Sequence, residues 1–207
     1  MKNIQPLLSL GLLAGLLLAC GPSVPNLDSP GHTIVCLGDS ITAGVGASPG
    51  AAYPDLLARR LGVEIQNAGV SGDTAEDGLA RIDDVLGRDP WLVIVELGGN
   101  DILRQVGPER TEAALRAILD RLMAARVVPV LVSIEVPFRD QYAAIYGRLA
   151  DEYKIPEVDE VLGDILMDPA LKADTIHPND RGHEVLAEAI ADTLEPILKA
   201  RAKVKGR

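Results

Sequence analysis

Short apolar runs alternate along this chain with longer stretches that have helical spacing. Most of the apolar runs are rich in β-branched residues and end at glycine or polar residues, which is typical of strands covered on both faces. They lie at residues 33–37, 63–67, 91–97, 127–134 and 155–158. Stretches with apolar positions three or four residues apart, as in amphipathic helices, lie at residues 51–61, 74–86, 111–126, 141–153 and 179–200.

Strands that alternate with helices of this length predict a parallel sheet with helices on both faces. We therefore expect an α/β fold with three layers, α/β/α, built on a five-stranded parallel sheet. The expected strand order is the flavodoxin-like 2-1-3-4-5, which puts the carboxyl ends of strands one and three side by side. The pattern has no internal repeat, and residues 32–207 are expected to form one domain.

The first 19 residues do not share this pattern. Lys2 is followed by an apolar run over residues 7–19 that is too short to span a bilayer comfortably, as in signal peptides. The run ends in Leu-Leu-Ala directly before Cys20. This resembles a bacterial lipoprotein signal, in which the cysteine becomes lipidated and N-terminal after cleavage. The alternative is an ordinary secretory signal peptide whose cysteine is incidental.

Residues 20–31 are rich in proline, glycine and serine and are expected to be a tether. Lipid on Cys20 would anchor the exported protein to a bacterial membrane, at its periplasmic or extracellular face. Cys36, the other cysteine, would then have no partner, so we expect no disulfide. Its place in the first predicted strand indicates a small buried side chain rather than a reactive thiol.

The charge excludes one class of partner. The formal net charge is -10, and lysine and arginine are outnumbered 20 to 30 by the acidic residues. Nucleic-acid binding depends on clustered cations, so it is not expected. Basic residues do gather at the end of the chain, over 199–207, where they could touch anionic headgroups or belong to a frayed helix end.

Ser40 follows the first predicted strand, after the sharp break that Gly38 allows. A serine hydroxyl needs a base to take its proton and an acid to orient that base. The chain has three histidines. His32 lies in the tether region, and His183 lies in the first turns of the last predicted helix, where a packed structural role is expected.

His177 is the favoured base. Pro178 biases it away from helical geometry, so it is expected in a loop that can meet the strand ends. Asp174, three residues earlier, is then the orienting acid. The alternative pair with the same spacing is Asp180 and His183.

An acyl-transfer reaction also needs donors for the oxyanion of its tetrahedral intermediate. Three groups follow the ends of the first three predicted strands and can donate: the backbone N–H of Ser40, the backbone N–H of Gly72 and the side-chain amide of Asn100.

Four sequence blocks carry these residues: Gly38-Asp39-Ser40, Asn67-Ala-Gly-Val-Ser-Gly72-Asp-Thr, Gly98-Gly-Asn100-Asp101 and Asp174-Thr-Ile-His177-Pro178. In this order they resemble the SGNH family of GDSL-type serine hydrolases over residues 33–198. The nearest resemblance is to its acyl-CoA thioesterase I, lysophospholipase and arylesterase subgroup. The resemblance implies that Ser40 is the nucleophile, that Asp174 and His177 are acid and base, and that Ser40, Gly72 and Asn100 form the oxyanion hole.

Two regions depart from that subgroup. Residues 135–142 form a shorter connection, and residues 157–168 are more acidic. Both are expected to shape the acyl pocket, so the sequence leaves the preferred acyl length open. Ile102 and Leu103 are candidate substrate-binding residues in that pocket, and plain packing is the alternative.

Asp39 and Asp101 lie beside the proposed nucleophile and oxyanion donor. No histidine or cysteine joins them at ligand spacing, and the resemblance implies that they shape loops through hydrogen bonds. We expect no metal and no cofactor.

The sequence therefore predicts an exported, lipid-anchored, monomeric serine esterase. Lysophospholipids and other lipid or aryl esters are the expected substrates. Acyl-CoA is less suited, because it is polyanionic and the chain is acidic. The alternatives are a carbohydrate or cell-wall O-acetylesterase and, from another class, a non-catalytic lipid-binding lipoprotein.

Overall fold

The computed structural model describes residues 24–135 and 140–206. Its five strands form one parallel sheet in the order β2-β1-β3-β4-β5, which confirms the predicted α/β/α fold. The strands are β1 (Thr33–Gly38), β2 (Ile65–Gly69), β3 (Pro90–Glu96), β4 (Val128–Val132) and β5 (Glu157–Val158).

Helices connect the strands and close the chain. They are α1 (Ser40–Ala43), α2 (Tyr53–Leu61), α3 (Ala75–Ala80), α4 (Ile82–Leu86), α5 (Gly99–Leu103), α6 (Pro108–Ala124), α7 (Asp140–Tyr153), α8 (Val161–Met167) and α9 (Asp180–Lys205), with a 3-10 helix at Pro169–Leu171 before α9. None of the helices in the described part of the chain is both long and apolar enough to cross a membrane.

The helix predicted over residues 74–86 is two helices, α3 and α4. α3 begins with a capping box between Thr74 and Asp77. It ends at Ala80, because the φ of -109° and ψ of 17° at Arg81 are not helical. The side chain of Arg81 turns towards the ends of β1 and β2 and bonds there, which explains the break.

The sequence pattern missed α1, α5 and α8. These helices have four, five and seven residues, which is too short for a helical period to become visible. All three adjoin the carboxyl edge of the sheet.

β3 lies at the centre of the sheet, and all seven of its residues are buried. Its last residue, Glu96, is paired in register with Gly38 at the end of β1. Cys36 in β1 is fully buried and free, and burial raises the pKa of its thiol to about 12. It is therefore a small core side chain, as expected.

Part of the predicted tether is docked on the domain. Arg201 donates hydrogen bonds to the carbonyls of Leu27 (3.0 Å), Ser29 (3.1 Å) and Gly31 (2.8 Å). Its guanidinium also lies 4.2 Å from the ring centroid of Trp91. Residues 24–31 thus belong to the folded edge, and the basic C-terminal region continues α9 instead of fraying. The predicted signal peptide and Cys20 lie outside the described residues.

Candidate active site

The turn after β1 presents Ser40 at the first position of α1. Asp39 caps this helix, because its Oδ1 accepts a hydrogen bond from the N–H of Ile41 at 3.0 Å. Gly38 has no room for a side chain. A Cβ there would lie 1.9 Å from Thr42 Oγ1 and 2.7 Å from the carbonyl oxygen of Glu96. The glycine therefore lets β1, α1 and β3 meet closely behind Ser40.

The Ser40 hydroxyl contacts His177, which in turn contacts Asp174. Ser40 Oγ lies 3.0 Å from His177 Nε2, and His177 Nδ1 lies 2.8 Å from Asp174 Oδ2. With the ring proton on Nδ1 and donated to Asp174, Nε2 is free to accept the serine proton. The structure thus brings together the three residues that the sequence put forward as nucleophile, base and acid.

The loop of His177 is rigidly held. Asp174 Oδ1 accepts hydrogen bonds from the backbone N–H groups of Ile176 and His177, both at 2.9 Å. The hydrogen bond from the His177 side chain, with these two, lowers the pKa of Asp174 to about 2. Gly46 lets the loop pack on the turn after α1, because a Cβ there would lie 2.3 Å from the carbonyl oxygen of Pro178.

His183 has a structural role, as expected for a packed helix. It is fully buried, its Nδ1 accepts a hydrogen bond from the N–H of Tyr53 at 3.3 Å, and its ring stacks on that of Tyr53. Burial lowers the pKa of His183. Asp180 bonds to Ser48 instead of to His183. His32 is solvated, with a side chain 83% exposed.

Asn100 lies in the same cleft as Ser40. Its amide nitrogen donates to Asp39 Oδ2 at 2.9 Å and to the carbonyl of Asp73 at 3.0 Å. An oxyanion would therefore share the Asn100 amide with these acceptors. Gly72 lies in the loop after β2 and is not among the residues that line the cleft. Its carbonyl accepts a hydrogen bond from Arg104 at 2.6 Å.

Asp101 joins three elements behind the site. Its Oδ2 accepts from the N–H of Ala75 in α3 at 2.9 Å, and its Oδ1 accepts from the hydroxyl of Thr111 in α6 at 3.0 Å. With the contacts of Asp39 to Ile41 and Asn100, this agrees with the expectation that both aspartates shape loops. Within residues 24–135 and 140–206, no three His, Cys, Asp or Glu side chains are grouped to hold a metal ion.

The cleft at Ser40 has a volume of about 210 Å³ and one apolar wall. Ile102 and Leu103, the candidate substrate-binding residues, both line it. The other apolar side chains that line the cleft carry no signal recognised in the sequence; they are Ile41, Ile134, Leu162, Leu166 and Ile176. Leu162 and Leu166 lie four residues apart on α8, so their helical spacing within the acidic segment was the available signal.

Arg81 is a second residue whose importance only the structure reveals. It donates to Asp73 Oδ2 (2.6 Å), to the carbonyl of Ala68 (2.8 Å) and to the carbonyl of Gly38 (3.0 Å). One side chain thus ties the ends of β1 and β2 to the loop that contacts Asn100.

Comparison with known proteins identifies the family. The model of the GDSL-like Lipase/Acylhydrolase family matches residues 36–185. The chain belongs to this family. It is therefore a serine esterase, a hydrolase of carboxylic esters.

The names of similar proteins agree with this assignment to the GDSL family. The chain is 37% identical over 176 residues to Thioesterase 1/protease 1/lysophospholipase L1 of Escherichia coli (strain K12), covering 80% of this chain and 85% of that protein. It is 32% identical over 182 residues to Esterase TesA of Pseudomonas aeruginosa, covering 81% and 90%. A crystal structure of TesA superposes with a TM-score of 0.76 at 31% identity, covering 80% of this chain and 99% of that one.

Proposed function

We propose that this GDSL esterase works through an acyl-enzyme on Ser40. His177 takes the proton of the Ser40 hydroxyl as Oγ attacks the ester carbonyl, and then gives it to the departing alcohol. Asp174 keeps the imidazole oriented and stabilises the imidazolium. Water, activated by the same histidine, then attacks the acyl group and releases Ser40 with a carboxylic acid. The contact of 3.0 Å between Ser40 Oγ and His177 Nε2 is the observation that carries this proposal.

The oxyanion of each tetrahedral intermediate is stabilised by the N–H of Ser40, the amide of Asn100 and the N–H of Gly72. The position of Asn100 in the cleft beside Ser40 supports its part in this set. Loss of one such donor typically costs on the order of 10²–10³ in rate.

The substrates we propose are lysophospholipids and other lipid or aryl esters. The apolar wall of the cleft, including Ile102, Leu103 and Leu166, suits an acyl chain. The leaving alcohol then lies towards the open mouth of the cleft. Burial of each CH₂ of the acyl chain contributes about 0.8 kcal/mol, so a medium-length chain gains affinity that an acetyl group lacks.

We also propose that the enzyme is exported, monomeric and anchored through lipid on Cys20. Support comes from the sequence: a positive start at Lys2, a short apolar run and a small residue directly before the cysteine. Membrane attachment would bring the enzyme close to lipid esters.

The test is hydrolysis of p-nitrophenyl esters of graded chain length by residues 24–207, which include the docked segment. Ser40→Ala should lower kcat by about 10⁶. Ser29→Ala is the matched control, since this serine is buried far from the cleft and its hydroxyl has no partner among the described residues. It should keep wild-type turnover.

The outcomes separate the alternatives. Turnover that survives in Ser40→Ala would refute the assignment of the nucleophile. Activity confined to acetyl esters would favour the O-acetylesterase. No turnover on any ester, with lipid retained by the purified protein, would favour the lipid-binding lipoprotein.

A further inference from the structure

Glu96 is a buried carboxylic acid directly behind the active site, and the mechanism above does not use it. It ends β3, is fully buried and lies under the floor of the cleft. The Thr42 hydroxyl is hydrogen-bonded to its Oε2 at 2.8 Å, and the Tyr53 hydroxyl is hydrogen-bonded to Thr42 Oγ1 at 2.8 Å. Oε1 of Glu96 is buried and has no partner among the described residues.

Asp39 is the second acid of this region. It follows Gly38, the register partner of Glu96, and both residues border the same cleft. Asp39 accepts two hydrogen bonds, from the N–H of Ile41 and from the amide of Asn100. Two ionised carboxylates cannot be held together in so buried a place without a cation. The hydrogen bonds favour the single negative charge on Asp39, which accepts two of them, over Glu96, whose Oε1 has no partner among the described residues.

Among the described residues, the other ionisable groups facing Glu96 do not offer a compensating positive charge. They are Cys36 on β1, Tyr53 on α2 and Tyr146 on α7. Burial raises the pKa of each of them, so they remain neutral near pH 7. Burial, followed by the charge of Asp39, also raises the pKa of Glu96 well above its ordinary value. The Thr42 and Tyr53 hydroxyls can serve as donors or acceptors, so they accommodate a neutral carboxyl.

We propose that Glu96 is a positioning residue of the esterase: in its uncharged form it supports α1 through Thr42 and leaves the negative charge on Asp39. The charged Asp39 in turn orients the Asn100 amide and holds the first turn of α1. If Glu96 carried the charge, Asp39 would be protonated. The hydrogen bonds that Asp39 accepts from Asn100 and Ile41 would then be weaker. The inference rests on the proposed catalytic role of Asn100 and Ser40.

The first test is kinetic. Glu96→Ala removes a partner of Thr42 and leaves a cavity beside α1, so it should lower kcat about 10- to 100-fold, less than removal of an oxyanion donor. KM should stay nearly unchanged, because Ser40 and Asn100 act on the transition state. Glu96→Gln keeps the size and neutrality of the side chain, so its kcat should be at least tenfold higher than that of Glu96→Ala. The matched control is Val95→Ala, which loosens the same strand without touching the acids and should keep kcat.

The second test is independent of activity. Difference infrared spectra of wild type and Glu96→Gln at about pH 8 should contain the carbonyl band of a protonated carboxylic acid in wild type only. A carboxylate band in its place would overturn the proposal. So would full kcat in Glu96→Ala, or a Glu96→Gln variant as slow as Glu96→Ala despite a native fold.

If Glu96→Ala does not fold, Thr42→Val takes its place, because valine is isosteric and removes the hydroxyl that contacts Glu96. It should lower kcat selectively, and an unchanged kcat would overturn the proposal. A wild-type protein inactive on all esters would refute the proposed function instead, while the infrared test would still decide the charge of Glu96.

Discussion

At the scale of single residues, hydrogen bonding and burial give the two acids of the site, Asp174 and Asp39, different pKa values. Asp174 accepts three hydrogen bonds from its own loop, and its side chain is 52% exposed to water; both favour its charged form. Asp39 is buried, and burial raises its pKa to about 6. The hydrogen bond from the N–H of Ile41 lowers this pKa but does not cancel the effect of burial. Two acids beside one serine thus titrate in different ranges.

Asp174→Asn should lower kcat about 10²–10⁴-fold with little change in KM, because an amide can stabilise the wrong imidazole tautomer. Exposure of Asp174 lets water take over part of its role, which favours the lower end. Steady-state hydrolysis of a p-nitrophenyl ester measures the effect. The control is Asp180→Asn, which has the same spacing to His183 but contacts Ser48. Equal losses in both variants would contradict the assignment.

Asp39 should also make stability depend on pH. Between pH 3.8, its ordinary pKa, and about 6, its folded value, the folded chain holds a proton that the unfolded chain has released. The free energy of unfolding therefore falls as pH rises through this window. Urea unfolding of wild type and Asp39→Asn from about pH 3.5 to 7 isolates this contribution as the difference between the two curves. Parallel curves would exclude it.

At the scale of elements, the site is assembled by the ends of strands and the short helices that follow them. Ser40 begins α1 after β1, Asn100 lies in α5 after β3, and Leu162 of α8 follows β5. The same break that divides the helix after β2 into α3 and α4 frees Arg81 to bind the ends of β1 and β2. The break in the helix thus allows Arg81 to form hydrogen bonds that hold the loops of the site in place.

Arg81→Met should lower the free energy of unfolding by about 3 kcal/mol, because it leaves Asp73 and two carbonyls without their donor. The side chains of Arg81 and Asp73 are only 19% and 12% exposed. Arg110→Met removes an exposed pair with Glu76, at 66% and 51%, and should cost at most about 1 kcal/mol. Denaturant unfolding compares the two. A similar cost for both variants would show that Arg81 is an ordinary surface ion pair.

At the scale of the whole molecule, the two ends of the described chain hold each other. Arg201 near the end of α9 binds three carbonyls of residues 24–31. If Cys20 carries the proposed lipid, only residues 21–23 remain between the anchor and the docked segment. Four residue steps span at most about 14 Å. The esterase would then lie close to the membrane surface rather than at the end of a long tether.

Arg201→Met should release the docked segment while its aliphatic part still covers Trp91. We expect faster hydrogen exchange at residues 24–31 and a loss of about 2 kcal/mol in the free energy of unfolding, since hydrogen bonds to a charged donor are lost. Arg126→Met is the control, because its ion pair with Asp28 in the same segment is more than half exposed. Unchanged exchange in Arg201→Met would show that apolar contacts alone dock the segment.

The sequence by itself determined the order of the five strands and of the longer helices between them, because residue periodicity is a local property that each segment carries. It also singled out Ser40, Asn100, Asp174 and His177, since each stands in a short motif at the end of a predicted element. The choice of His177 over His183 followed from its neighbour Pro178 and agrees with the observed contacts.

Only the tertiary structure decided what depends on residues far apart in the chain. The docking of residues 24–31, the break at Arg81 and the apolar wall from α8 all require partners that no local pattern reveals. The clearest case is Glu96, which looks like the polar end of a strand in the sequence. Its neutrality follows from full burial, an Oε1 without a partner among the described residues and the neighbouring charge of Asp39, and these exist only after the strands have been brought together.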